Sequence, residues 1–240
     1  HRIKSGSTDI SKDFIESLIS HIKSSVKPVL YVGGGCLNSG LKASEELIKF
    51  AELTNIPVTT TLHGLGCYPG NGKLSIGMLG MHGTYEANLA MHNCDLMINV
   101  GARFDDRITC RLDAFSPNST KFHFDIDKSS INKNVNVDFS TNTDIAHALS
   151  ALNLYIKSNN IEFNHNQISN WWGQIKEWQK TNCLNYEQGD EIIKPQHAIA
   201  RLNELTKNKE TIVTTEVGQH QMWAAQYFQF NKPNSWITSG

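Results

Sequence analysis

The sequence has 240 residues, with 22 Lys plus Arg against 23 Asp plus Glu, a formal net charge of -1 and 39% apolar residues. A near-neutral chain without a local Lys/Arg cluster has no basic field for a polyanion, which argues against nucleic acid as a partner. The apolar share is below the usual one but sufficient for a core, and no apolar run approaches the roughly 18 residues a membrane-spanning helix needs.

The opening, His1 to Gly6, has no initiator methionine and no apolar signal core, as expected of a processed chain or a piece of a longer one. Residues 10–26 carry Ile10, Phe14, Ile15, Leu18, Ile19 and Ile22 at helical spacing, which predicts an amphipathic helix ending before Pro28. Pro28 to Val32 reads as a strand, residues 40–54 as a second helix, and β-branched Ile56 to Thr61 as a second strand. A Gly/His/Pro-rich loop then spans 62–83. It is followed by a helix over 84–93, strands at Leu96–Val100 and Lys121–Ile126, and a helix over 143–157. Strands and helices alternating in this way predict an α/β domain, a parallel sheet flanked by helices, with ligands beyond the carboxyl ends of the strands.

Composition shifts over 157–193, where polar stretches precede a helix expected to carry Trp171, Trp172 and Trp178; this reads as a connecting segment. A second α/β pattern starts after Lys194-Pro195, with helix 196–207, strand 211–215, helix 219–227 and strand 235–239. Two strands and two helices cannot bury a sheet, so this unit is expected to be incomplete. The predicted division is therefore 1–156, 157–193 and 194–240.

The features that could carry chemistry follow strands. Gly33-Gly34-Gly35 opens G-x-G-x-x-N, without the third glycine of the dinucleotide fingerprint, and the next strand ends in Thr59-Thr60-Thr61 where a ribose-binding acid would stand. A plain tight turn and a nucleotide site of another kind both remain open. Leu79-Gly80-Met81-His82-Gly83 contains one of ten histidines, readable as a surface or core residue or as a functional one. Gly101 to Arg107 packs four charges into seven residues, either a clamp for carboxylate or phosphate or an exposed ion-pair network. Asp125 and Asp127 could accept ribose hydroxyls, whereas a metal reading lacks further hard ligands. Val217-Gly218-Gln219-His220 could present backbone N–H groups and two polar side chains to a diphosphate at a helix start. Five scattered cysteines, never spaced C-x-x-C, fit reduced thiols better than a disulfide framework or zinc site. Hydrolase and ATPase motifs are missing.

Taken together, these segments resemble the catalytic large subunit of the acetohydroxyacid (acetolactate) synthases, a thiamine-diphosphate-dependent family. The resemblance is carried by KPVLYVGGGCLN (Lys27 to Asn38), TLHGLGCYP (Thr61 to Pro69), MLGMHGT (Met78 to Thr84), GARFDDRITCRLDAF (Gly101 to Phe115), FHFDID (Phe122 to Asp127) and EVGQHQMWAAQ (Glu216 to Gln226). It implies a central FAD-binding domain followed by the start of a thiamine-diphosphate-binding domain. By that resemblance FAD would contact Gly33, Gly34, Gly35, Thr61, Leu62, Leu79, Gly80, Met81 and His82. Its contacts would continue through Gly101, Ala102, Arg103, Phe104, Asp105, Arg107, Ile108, Asp125, Ile126, Asp144 and Ile145. Arg107 would hold the carboxylate of the second 2-ketoacid, with Met81 beside the substrate, and Val217, Gly218, Gln219 and His220 would meet thiamine diphosphate.

The resemblance further implies a largely structural FAD, Mg2+ and catalytic residues held outside this sequence, and a homodimer or homotetramer with a regulatory small subunit. It implies a cytoplasmic location in bacteria, and plastid or mitochondrion in eukaryotes. The chain alone is then expected to be inactive. Two departures stand out: Thr143 where members carry glycine, and His63 where many carry methionine. The alternatives are a non-catalytic flavin- or nucleotide-binding module and another thiamine enzyme such as a pyruvate oxidase or decarboxylase.

Overall fold

The computed structural model describes residues 9–239; the opening His1 to Gly6 lies outside them. Helix α1 (Lys12–Ser24) starts where the Ser11 side chain accepts from Phe14 N, and it buries Phe14, Ile15, Leu18, Ile19 and Ile22. Strand β1 (Pro28–Val32) is buried throughout and leads into the short α2 (Gly34–Asn38). Helix α3 (Leu41–Thr54) ends at Asn55, which takes the left-handed conformation (φ 57°) and returns its N–H to Ala51 O. There follow β2 (Val58–Thr60), β3 (Ser75–Met78), α4 (Tyr85–Asn93), β4 (Leu96–Val100), α5 (Asp106–Thr109), β5 (Thr120–Asp125), β6 (Phe139–Asn142) and α6 (Ile145–Ser158).

The six strands form one wholly parallel sheet in the order β3-β2-β1-β4-β5-β6. Chain progression runs outward from β1 in one direction and from β4 in the other, so a crevice opens at their carboxyl ends. Strands β1 and β4 lie at the centre with helices on both faces, which is why both are almost continuous apolar runs. One face packs on α1, α3 and α6 through residues such as Leu18, Leu47, Phe122 and Leu149. The other packs on α4 and on α7 (Ser169–Gln179), through Tyr31, Met91, Phe104 and Trp171.

The structure departs from the sequence expectations at the sheet margins. Strand β3 falls within the expected loop 62–83, and β6 in a stretch for which no element was expected. β3 (SIGM) is a short edge strand whose alternation rests on Ile76 and Met78 alone, with Gly77 at φ 87° beside an irregularity in its pairing with β2, and β6 (FSTN) is a half-exposed edge strand without apolar alternation. Residues 157–193 also do more than connect. Helix α7 covers the second face: Trp171 is 2% exposed, its indole N–H donates to Pro28 O (3.1 Å), and its ring meets Trp178 edge-on.

The last segment comprises α8 (Pro195–Thr206), β7 (Val213–Thr215), α9 (Gln219–Tyr227) and β8 (Trp236–Thr238), with β7 and β8 paired in parallel. No residue of α8 is buried. This segment docks on the carboxyl side of β2 and β3. Gly70 N donates to Phe230 O (2.9 Å), Asn71 N to Asn231 Oδ1 (3.0 Å), and Met78, Ala224, Ala225, Phe230 and Trp236 form an apolar cluster. All five cysteines are free thiols, and among the described residues no helix is long and apolar enough to cross a membrane.

If α7 is part of the folded core, Trp171→Ala should lower unfolding free energy by about 3–5 kcal/mol. Urea denaturation would check this, and a loss below about 0.5 kcal/mol, typical of surface sites, would return α7 to the status of a linker.

Candidate functional site at the carboxyl edge of the sheet

The centre of the site is a crossing of two backbones. Gly33 N donates to Val100 O (2.9 Å) and Gly35 N to Gly101 O (3.0 Å). A Cβ on Gly33 would fall on Gly101 O, one on Gly35 would lie 2.8 Å from the same oxygen, and Gly101 sits at φ 68° with room for no side chain. The glycines after β1 thus let the β1 and β4 loops touch. Two of the N–H groups that could have faced a phosphate are engaged by β4 instead. Gly34 packs over the neighbouring turn, where a Cβ would lie 3.0 Å from His63 Cβ. In that turn Thr61 N donates to Val32 O, the Thr61 hydroxyl accepts from Gly64 N, and Leu62 begins a short 3-10 turn.

The loops after β3 and β4 are held by amide side chains. Asn99, wholly buried in β4, donates to Ala102 O and accepts from Ala102 N, both at 2.8 Å. Asn88 on α4 does the same for Gly80, donating to its carbonyl (3.0 Å) and accepting from its N–H (3.1 Å). Asn134 donates to Phe104 O, and Phe104 is buried at a positive φ of 55°. Leu79 is buried, whereas Met81 and His82 are exposed at the rim. Met81 N donates to Arg107 O (3.1 Å), and a Cβ on Gly80 would meet Ile108 Cδ1, so the 79–82 and 105–108 segments are seated on each other.

Charge concentrates on this rim. Asp105 caps α5, accepting from Arg107 N, and lies 3.7 Å from the Arg103 guanidinium. Its carboxyl is held below the usual range, first by a side-chain hydrogen bond with Asp106, then by the Arg107 N–H and the charges of Arg103 and Arg107. The exposed Arg103 and Arg107 side chains remain available to an anion. His63 has a lowered pKa, through burial first and the Arg103 charge second. Tyr31 is raised by burial, with Asp105 adding to it.

At the end of β5, Asp125 is 7% exposed; its Oδ1 accepts from Asp127 N (2.8 Å) and its Oδ2 lies 3.5 Å from His123 Nε2. Ile126 is at the surface, and Asp127 ties up Ser129 and Ser130, which hold its carboxyl below the ordinary range. Asp144 caps α6 through His147 N, and Ile145 is buried with its N–H on Ser39 Oγ. Thr143 is fully buried, its N–H on Asp125 O. The residues at positions 33–35, 61–62, 79–82, 101–108, 125–126 and 144–145 therefore share one edge of one sheet.

Val217 to His220 lie elsewhere, at the β7–α9 turn. Gly218 (φ 156°) precedes α9, Gln219 and His220 are exposed in its first turn, and buried Gln221 is the residue clamped to β8 through Thr238 and Ser239. The two places communicate through α9, whose Gln226 donates to His82 O (3.0 Å) roughly 10 Å along the helix from Gln219.

The sequence reading overlooked the supporting residues Asn88, Asn99, Asn134 and His123. Two of them left a trace, since a polar residue inside an apolar strand, as in LMINV or KFHFD, needs a buried partner.

A parallel sheet of this order, with glycine loops at its switch point, is a doubly wound α/β domain, an arrangement that takes ligands at that point. The thiamine pyrophosphate enzyme central-domain family matches residues 15–152, and its C-terminal TPP-binding-domain family matches residues 216–240. The chain belongs to the thiamine pyrophosphate enzymes. It is 48% identical over 214 residues to the acetolactate synthase large subunit of Buchnera aphidicola subsp. Schizaphis graminum, covering 89% of this chain and 36% of that protein. Against acetolactate synthase isozyme 3 large subunit of Escherichia coli the identity is 42%, covering 95% and 39%. Against the chloroplastic acetolactate synthase 1 of Nicotiana tabacum it is 46%, covering 94% and 33%. The chain thus spans about a third of the length of these curated relatives.

Replacing Asn99 by Leu would strand the buried N–H and C=O of Ala102, at a cost of about 2–5 kcal/mol. Denaturant titration with hydrogen exchange at the Ala102 amide would check it. Unchanged protection there would mean that the loop is held by other contacts.

Proposed function

We propose that this chain is the central, FAD-binding part and the beginning of the thiamine-diphosphate-binding part of an acetolactate synthase large subunit. That enzyme would condense pyruvate with pyruvate or 2-ketobutyrate, releasing CO2, on the route to valine, leucine and isoleucine. The observation that carries this reading is the level of identity to acetolactate synthase large subunits, 42–48% over most of the chain.

Several features support FAD along the sheet edge. The open crevice between β1 and β4 suits a dinucleotide, the strand-end carboxylate of Asp125 suits ribose hydroxyls, and exposed Arg103 suits an anionic ligand. The 79–82 and 101–108 loops give the ligand rigid walls, because their backbones are fixed before it arrives. Asp144 and Ile145 would contribute through position and shape, since their capping and N–H groups are already engaged.

Thiamine diphosphate, when bound, supplies the carbanion chemistry that decarboxylates one 2-ketoacid and joins it to a second. For this chain's residues, the work is binding and orientation. Gln219 and His220, with the N-terminus of α9, would hold the diphosphate. Arg107 would grip the second ketoacid's carboxylate with its planar fork, and Met81, seated on Arg107 by its own N–H, would bound the same space. By the family resemblance, Mg2+ is assigned to residues outside this sequence.

A regulatory small subunit, a homodimeric or homotetrameric assembly, and a cytoplasmic or organellar setting according to source complete the reading. The family match at 216–240 tells against a free-standing flavin module, because such a module has no use for a thiamine-binding segment.

The intact polypeptide containing this sequence should form acetolactate from pyruvate and carry FAD. Arg107→Ala should remove ~2–5 kcal/mol of transition-state binding, read as a fall in kcat/KM. Wild-type turnover with the same ketoacid preference in that variant would refute the role of Arg107, and release of acetaldehyde or acetate in place of acetolactate would point to a decarboxylase or oxidase.

A further inference from the structure

Beneath the carboxyl edge a polar row crosses the apolar sheet. Thr59, Tyr31, Asn99, His123 and Ser140 stand in register on β2, β1, β4, β5 and β6. Thr59 and Asn99 are satisfied, by Gly77 O and by Ala102. His123 is not: it is 0% exposed, and neither ring nitrogen has a hydrogen-bond partner. The polar group in front of it is the Asp125 carboxylate, with Nε2 and Oδ2 at 3.5 Å.

Aspartate 125 has reason to need it. A carboxylate 7% exposed requires compensation, and it receives one backbone N–H, from Asp127, on Oδ1 alone. Its Oδ2 turns toward the imidazole. The imidazole in turn is fixed by the β4 loop, because Phe104 lies edge-on to it (centroids 5.3 Å, 77°) while packing between Tyr31 and Phe115. His123 therefore sits where the loop after β4 and the carboxylate after β5 meet, and it is the side chain that touches both.

We propose that His123 is the positioning residue for Asp125. Its Nε2–H donates to Oδ2 when a ligand is seated, which keeps the carboxylate oriented so that its outward lone pairs accept the two hydroxyls of a vicinal diol. The diol is that of the adenosine ribose of a dinucleotide, and this inference rests on the flavin reading above. In the structure the two atoms stand 3.5 Å apart, at the edge of hydrogen-bond reach. The histidine itself does not touch the ligand.

The test uses the intact polypeptide stripped of flavin and titrated with FAD and with an FAD analogue lacking the adenosine 3′-hydroxyl, followed by flavin fluorescence. His123→Phe keeps the ring and its packing but has no donor, and His123→Gln puts an amide N–H near the place of Nε2. Circular dichroism and thermal melting confirm that both variants fold. His123→Phe should weaken FAD by about 10- to 100-fold, the loss of a hydrogen bond to a charged group. The deoxy analogue should bind wild type and His123→Phe almost alike, and His123→Gln should recover most of the affinity for FAD. Equal losses for FAD and the analogue, or no loss at all, would overturn the positioning role while leaving the flavin reading intact. Failure of the folded wild type to bind FAD would sink both.

Discussion

The contact on which the rest depends is the one between two backbones, Gly33–Gly35 after β1 and Gly101–Ala102 after β4. Adjacent parallel strands whose chains leave in opposite directions would ordinarily hold their loops apart. Here Gly35 N–H reaches Gly101 O across the gap, and only hydrogen occupies the place of each Cβ. The crevice thereby acquires a floor of main chain. The neighbouring loops are then built outward from that floor: Ala102 on Asn99, Gly80 on Asn88, Met81 on the Arg107 carbonyl. A side chain at Gly33 or Gly101 would push this whole stack apart, whatever the ligand.

Rigidity at the base is paired with exposure at the rim. Every amide that organises a loop accepts or donates inward, and the charged groups of Arg103, Asp105 and Arg107 are left facing outward. That division suits a domain whose task is to hold and orient. The shifts present in His63 and Tyr31 come chiefly from burial, and that in Asp105 from its own capping neighbours, not from opposed pairs poised for proton transfer.

Much of this could be read in the sequence, for definite reasons. The central strands announced themselves because burial on both faces forces almost unbroken apolar runs such as PVLYV and LMINV. The helices did so because α1 and α3 must each offer one apolar stripe to the sheet. The edge strands β3 and β6 stayed hidden, because a strand half in water needs no such pattern and Gly77 disrupts what little there is. Helix α7 was visible as a tryptophan-bearing helix but not as core, since spacing cannot say which surface an indole will find. The glycine run was legible as a close approach, but its partner was not. Glycine permits a phosphate and another backbone equally, and only the register of β1 against β4 decides between them. His123 was passed over because a lone histidine in a strand has no distance attached to it.

The loop Leu79–His82 belongs to two surfaces at once. It forms one wall of the sheet edge, and through the His82 carbonyl and the Met78 cluster it is also the seat of α9. Occupancy of either surface must draw on the same few residues. Because Asn88 and the Arg107 carbonyl already hold that loop, a displacement on one of its surfaces is carried to the other and not absorbed between them.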